Sequence, residues 1–517
     1  MGIYQRRSSQ AKKQLFSKGY FLLFPRLLIY CFHMASLEEL REERLKKIGL
    51  LKENGMEAYP SHTDRSISLG EILKDFDGAI QKGAVIIAGR VMAMRGQGAL
   101  LFLDINDGTG RLQGLLKKGD TPEELFDLFR DAVDIGDFVE LNGTLMITKR
   151  GEKTIAVTNW KMLSKSLQPL PDKWAGLADE ETRLRKRYLD ILVDPELKEM
   201  LIKRSKFWDV TRTFMKDHGF FEVETPTLET TTGGAEANPF KTHHRDFDID
   251  VFMRISVGEL WQKRLMVAGF EKTFEIGRAY RNEGSSPNHV QEFTNMEFYW
   301  GYANYKDGMK LAQELYQDIA EKVFGTTKFV TGEHSYDLAG EWPLIDYREE
   351  VLKITGIDVL TATEKEIVEK LKELHVTYEG ENRERLTDTL WKYCRKTISG
   401  PAFLVHHPKL VSPLSKSMKE NPELTERFQI IIAGAEIGNG FSELNDPIDQ
   451  RNRFEEQKKL LEKGDEEAMM PDWEFVEALE HGMPPTCGFG FGERLFAFLV
   501  NKPLRETQFF PLMKPKE

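Results

Sequence analysis

"TFEIGRAYRNEGSSPNHVQEFTNMEFYW", residues 273–300, decides how the larger part of this chain is read. Its two ends alternate side chains with period two and a polar loop divides them, which predicts an antiparallel hairpin. On the first arm Arg281 and Glu283 share a face; on the second, Phe293, Asn295, Glu297 and Tyr299 share one. Paired, the arms present an arginine, two carboxylates and two aromatic rings together. A guanidinium fork suits phosphate or carboxylate, a ring offers a stacking surface, and carboxylates hold cations. Taken alone, the same pattern equally describes an exposed strand face with cross-strand ion pairs.

Two more stretches favour a site. In "EIGNGFSELNDP" (436–447), Asn439, Phe441 and Glu443 alternate onto one face, again an amide, a ring and an acid. Such polar groups in a half-buried strand need partners, since an unpaired one costs roughly several kcal/mol. In "PPTCGFGFGERLFAFLV" (484–500), Gly488, Gly490 and Gly492 permit close approach of a ligand or of neighbouring backbone. Arg494 follows them at the start of an apolar helical run, within reach of a phosphate tail. A strand packed tightly on a helix would read the same way.

The chain has 517 residues, more than one hydrophobic core usually serves, so at least two domains are expected. With 40% hydrophobic and 30% charged residues it reads as an ordinary globular protein. Its net charge of -11 argues against indiscriminate binding to nucleic acid or membrane, while leaving room for a local basic or aromatic patch. Three cysteines, Cys31, Cys394 and Cys487, form no CxxC pair, which fits a reducing compartment and argues against a disulfide framework or a cysteine-built zinc site.

Residues 1–33 carry six Lys or Arg and no acid, and their apolar run is broken by Pro25 and Arg26. The run is too short for a spanning helix, which needs ~20 apolar residues. Either this is a targeting peptide without an obvious cleavage site, or translation starts at Met34; the amphipathic helix opened by "MASLEELREERLKKIGLL" favours the second. Residues 34–82 read as a helical segment, and 83–165 as short β-rich runs with one helix, "DTPEELFDLFRDAV", for which an OB-like barrel is the most economical arrangement. The prolines and charges of 166–188 read as a linker. From 189 to 517 long helices mix with strands in no βαβ rhythm, predicting an antiparallel sheet flanked by helices, the α+β class.

"HGFFEVETPTL" (218–228), "YRNEG…EFTNMEFY" and "GFGFGERL", in this order, resemble the three signature motifs of class II aminoacyl-tRNA synthetases. "AGRVMAMR", "GGAEANPFKTHH", "VSPLSK", "NGFSELNDP" and "HGMPPT" are similar to the lysyl-tRNA synthetase family in particular, and the resemblance runs from about Met34 to the end. It implies an OB-fold anticodon-binding β-barrel followed by an antiparallel-sheet catalytic domain, usually a cytoplasmic homodimer, using ATP, Mg2+, L-lysine and tRNA(Lys) and no membrane. By the same resemblance Arg281 and Arg494 are catalytic and grip phosphates, while Glu283, His289 and Phe293 complete the ATP site. Glu436 implies a magnesium ligand, with Glu443 beside it, although strand parity puts Glu436 on the face opposite Asn439. Gly234, Glu259, Arg281, Glu297, Tyr299, Asn439, Phe441 and Glu443 occupy lysine-binding positions, and Phe102 and Gln113 those that contact the anticodon.

The sequence also departs from the family pattern. The loop after His289 reads "HVQEF", "RISVGEL" is one residue longer than usual before Glu259, Gln429 stands where an acid is common, and the third motif is short with Glu493 for Asp. Aspartyl- or asparaginyl-tRNA synthetases share barrel and motifs, but the acids at the selecting positions disfavour an acidic substrate. Enzymes that lysylate proteins lack the barrel. A tRNA-binding protein without catalysis is disfavoured by Arg281, Glu283, Phe293 and Arg494.

Overall fold

The computed structural model describes residues 36–171, 177, 179–234, 237–378, 380, 382–464 and 468–516. The extension over 1–33 lies outside them, as do residues 172–176 and 178 of the expected linker. The chain divides into two units after Leu170.

In the first unit a capping box starts helix α1 (Leu37–Glu53): Ser36 Oγ accepts from the Glu39 amide, and the Glu39 carboxylate accepts from the Ser36 amide. Strands β1 (Ala84–Gln97), β2 (Leu100–Asn106) and β3 (Arg111–Lys117), then helix α2 (Glu123–Ala132), then β4 (Phe138–Ile147) and β5 (Lys153–Ser164) follow in the chain. The five strands close into a barrel in the order β1-β2-β3-β5-β4. Leu101, Leu103 and Ile105 alternate into its core with Leu112 and Leu116 opposite. Asp107 makes the β2–β3 turn, its carboxylate accepting from the amides of Thr109 and Gly110. Trp160 fastens α2 to the barrel, its indole N–H donating to the Leu125 carbonyl and its ring meeting Phe129 edge-on at 4.7 Å.

In the second unit Asp194 caps helix α3 (Pro195–Asp217), with Pro195 at its first position. Then come β6 (Phe221–Glu222), α4 (Glu259–Val267), β7 (Lys272–Tyr280), β8 (Glu292–Gly301), α5 (Tyr305–Ile319), β9 (Leu344–Asp346), α6 (Arg383–Cys394), β10 (Ala402–Val405), β11 (Arg427–Ile432), β12 (Ala435–Ser442), β13 (Thr486–Gly492) and α7 (Arg494–Leu499). Eight strands form one sheet in the order β9-β10-β11-β12-β13-β8-β7-β6, antiparallel except at its two edge pairs. One face of the sheet is apolar: Phe298, Phe428, Phe489 and Phe491 meet Leu315 and Tyr316 of α5 in the main core. The rings of Phe428 and Phe489 lie 5.6 Å apart and nearly parallel.

Two sequence expectations need correction. The run read as a linker folds into helix over Glu180–Arg185, because its charges find partners: Arg183 pairs with Asp190 at 2.9 Å, and buried Arg187 pairs with Asp190 at 2.8 Å. Strict period-two alternation also fails in β12. Gly438 pairs with Ile430 but Glu436 with Ile431, so Ile437 is one residue too many for its partner strand, a β-bulge. The bulge resets parity and turns Glu436 onto the face of Asn439 and Phe441.

Phe428→Ala removes a fully buried ring from the center of the main core. The unfolding transition of the second unit should lose about 3–5 kcal/mol of stability, followed by denaturant titration with near-UV circular dichroism. A loss below about 1 kcal/mol would contradict this packing.

Candidate active site

The polar face of the sheet is built by register. Across the strands Glu275, Glu297, Gly490, Asn439 and Gln429 form one row, and Thr273, Tyr299, Gly488, Phe441 and Arg427 the next. The glycines occupy the middle strand of this floor. A methyl on Gly488 would lie 2.1 Å from Glu443 Oε1, and one on Gly490 would lie 2.8 Å from Glu297 Cγ. Glycine is therefore required here for space, and alternating Phe489 and Phe491 supply the core on the reverse side.

Above this floor lies a cavity of about 630 Å³. Gly234, Glu259, Arg281, Glu283, His289, Phe293, Glu297, Tyr299, Glu436, Asn439, Phe441, Glu443 and Arg494 all line it. The hairpin forms as its alternation predicts, with Ala279 opposite Phe293 and the Arg281 amide donating to the Gln291 carbonyl. The Arg281 guanidinium lies 5.3 Å over the Phe293 ring and donates through Nε to the Ile255 carbonyl. Glu283 and His289 are exposed at the open end, where Ser286 Oγ and His289 Nδ1 are 2.7 Å apart. Partial desolvation of its ring, and then the charge of Arg494, hold the His289 imidazole below its ordinary pKa. Arg494 begins α7 behind Glu493, which is buried and fixed by Arg204 and by Gln508 Nε2 at 2.7 Å. The longer acid at 493 is thus an anchor beneath the arginine.

The opposite end is buried and acidic. Glu259, Glu297 and Glu443 are each less than a tenth exposed. Before Glu259, Gly258 takes a left-handed φ of 69° that would bring any side chain onto Thr225, and Glu259 then opens α4. Glu297 accepts from the Val257 amide at 2.6 Å and the Tyr299 hydroxyl at 3.3 Å. Burial, joined by the charge of Glu259, nevertheless pushes its carboxyl up to about 7. Burial also raises the Glu443 carboxyl, against the pull of Lys263. Tyr299 is held well above its usual range by burial and by all three acids, so its hydroxyl stays a donor. Arg427 Nε donates to Asn439 Oδ1 at 2.9 Å and so orients that amide.

Three partners escaped the sequence reading. Lys263 Nζ stands 2.7 Å from Glu259 Oε1 and 2.5 Å from Glu443 Oε2, the second an ion contact without hydrogen-bond alignment. Its i,i+4 spacing from Glu259 on a helix was the available signal. Trp391 of α6 donates its indole N–H to Glu436 Oε1 at 2.8 Å, and Arg395 Nε is 3.8 Å from the same oxygen. Both come from a separate helical segment that no strand pattern connects to the sheet.

The metal expectation divides. Glu436 faces the cavity with one oxygen held by Trp391, and a single carboxylate beside phosphate oxygens suits Mg2+. Glu443 does not fit that role, because the protein's own ammonium already meets it in a buried pocket. Gln429 adds no charge, and its Oε1 lies 3.0 Å from His407 Nε2. Among the described residues no group of three or more His, Cys, Asp or Glu could hold a metal ion.

In the barrel Phe102 and Gln113 share the outer face of β2 and β3, where Asp104 is opposite Gln113. Both are half-buried, and Phe102 stays outside the barrel core that Leu101 and Leu103 fill. Gln113 Oε1 accepts from Thr154 Oγ1 at 3.0 Å.

Residues 179–514 match the family described as tRNA synthetases class II (D, K and N), and residues 85–163 match the OB-fold nucleic acid binding domain. Fold and site thus define a class II tRNA synthetase. The chain is 44% identical over 489 residues to the lysine–tRNA ligase of Thermotoga maritima, covering 93% of this chain and 97% of that protein. It is 42% identical over 488 residues to the lysine–tRNA ligase of Roseiflexus sp. (93% and 100% covered), and 40% identical over 496 residues to that of Bacillus subtilis (93% and 98%). The chain belongs to the lysine–tRNA ligase family.

Proposed function

We propose that this protein activates L-lysine with ATP to lysyl-adenylate and pyrophosphate, then transfers lysine to the 3′ end of tRNA(Lys). The observation that carries the reading is the acidic end of the cavity, where Glu443 Oε1 is buried without a hydrogen-bond donor. A buried acceptor of this kind is costly unless it meets a charged donor, and a lysine ε-ammonium supplies one. Phe441 and Tyr299 flank the aliphatic stem, and Gly234 with Glu259 receives the α-amino group. No covalent nucleophile is required.

At the other end Phe293 takes the adenine, with Glu283 and His289 closing around the nucleotide. Arg281 binds the lysine carboxylate and the α-phosphate together, so the carboxylate oxygen is held in line for attack on phosphorus. As negative charge gathers on the phosphoryl oxygens, Arg281 stabilises it, and Arg494 holds the departing pyrophosphate. Glu436 would hold Mg2+, which would supply positive charge to offset that of the phosphates. In the second step a terminal ribose hydroxyl of the tRNA attacks the adenylate carbonyl and AMP leaves.

Phe102 stacks on an anticodon base and Gln113 hydrogen-bonds a base edge. We further propose a cytoplasmic homodimer. Cysteine usage fits a reducing compartment, and exposed Phe221 and Phe270, with rings 5.8 Å apart, offer an apolar surface for a second copy. No helix among the described residues is long and apolar enough to cross a membrane.

Three outcomes test this reading. Glu443→Gln should cost about 3 kcal/mol or more, on the order of a hundredfold in lysine activation; near-normal lysine-dependent ATP–pyrophosphate exchange would contradict it. Phe102→Ala should weaken aminoacylation by about 1–3 kcal/mol while sparing exchange, and equal damage to both reactions would refute the anticodon role. The third outcome concerns pH. Glu297 titrates near 7 in the protein but near 4.3 unfolded. The native chain therefore holds more protons between those values, and its own stability falls as pH rises through them. Lysine, whose ammonium stays charged up to about 10, favours the ionised carboxylate. The rise in melting temperature produced by lysine should thus be larger near pH 8 than near pH 6; a constant or shrinking shift would exclude these carboxylates as the ammonium site.

A further inference from the structure

Lys263 is an ammonium that the described functional residues leave unused, although its side chain is only 1% exposed. Its Nζ sits between Glu259 Oε1 and Glu443 Oε2, with the rings of Phe441, Phe475 and Tyr299 at 5.3, 5.8 and 5.9 Å. Lys263 does not itself line the cavity; both carboxylates do. In each, one oxygen meets the internal ammonium and the other lies against a glycine of the cavity lining, that of Glu443 being itself buried. Glu259 Oε2 lies 2.9 Å from where a Gly234 methyl would be, and Glu443 Oε1 lies 2.1 Å from where a Gly488 methyl would be.

We propose that Lys263 is a positioning residue that determines specificity: it ties the rear oxygens of Glu259 and Glu443 so that their front oxygens receive the two ammonium groups of one lysine. The inference rests on the lysine reading above and deepens it. Charge matching supports it. Glu259, Glu297 and Glu443 are three buried carboxylates, and the ammonium of Lys263 together with the α- and ε-ammonium groups of the substrate balances them. Without Lys263 one buried negative charge would be left over, and such a charge is relieved by taking up a proton. Of the other titratable or charged groups that act on this cluster, Glu275 is already paired with Arg254 at 2.7 Å, and Arg281, which acts on Glu297 from the far side of the cavity, is matched by the carboxylate of the substrate. Tyr299 within the cluster and Cys487 on the reverse face of the sheet are held well above their usual pKa by burial first and by nearby acids next, so they stay neutral and cannot serve as the missing cation. Burial alone would depress the Lys263 ammonium, but Glu259 and Glu443 outweigh it and raise its pKa.

Lys263→Met keeps the stem and removes the charge. With the full-length enzyme, lysine-dependent exchange should show KM for lysine raised by about tenfold or more near pH 7, with KM for ATP unchanged. The acid limb of kcat/KM for lysine should move to higher pH, because Glu443, raised by burial and no longer opposed by Lys263, holds its proton longer. An unaltered lysine KM and profile, or a loss shared by kcat and both substrates at every pH, would overturn the proposal. Should the Met variant not fold, Lys263→Arg carries the test: retained charge in displaced geometry should raise lysine KM and leave the acid limb in place, and a displaced limb or a normal KM would overturn it. Wild-type protein without lysine-dependent exchange would instead overturn the parent reading, which keeps the two failures distinct.

Discussion

Three carboxylates taken out of water within one pocket are the constraint on which the rest of this structure depends. Isolated buried anions are prohibitively costly, so each needs a defined partner. Glu297 uses a backbone amide and a phenol, Glu259 and Glu443 share Lys263, and the remaining demand is met by the ligand. The pocket is thus stable enough to fold and still incomplete. A substrate that brings ammonium groups completes it, whereas a carboxylate side chain would add to the imbalance.

The sheet makes this possible through division of labor between its faces. Phe298, Phe428, Phe489 and Phe491 fix the strands from below, so the opposite face can be spent on polar groups. Gly488 and Gly490 in the middle strand leave room exactly where side chains from the flanking strands converge. Buried acids at one end and the Arg281–Arg494 pair at the other then give the cavity two chemically distinct halves, one for an ammonium and one for phosphates.

Much of this was legible in the sequence because period-two alternation survives in strands. The hairpin, the shared face of Arg281 with Phe293, the β-rich barrel and the amphipathic first helix all follow from local pattern. What escaped was non-local or broke the period. Glu436 joins Asn439 only through the bulge at Ile437. Trp391 and Arg395 reach Glu436 from a helical segment distant in sequence. Lys263 stands four residues after Glu259, a spacing that points to an ion pair but not to the burial of its ammonium against Glu443. The charged run at 180–185 looked like a solvated linker because its partners, Asp190 among them, lie beyond it.

The central claim is that the acidic pocket selects lysine, and the most direct measurement is ATP–pyrophosphate exchange by the full-length protein with each of the twenty amino acids, without tRNA. The account predicts exchange with lysine alone. Exchange driven by aspartate or asparagine would leave the fold intact and contradict the pocket chemistry on which this reading stands.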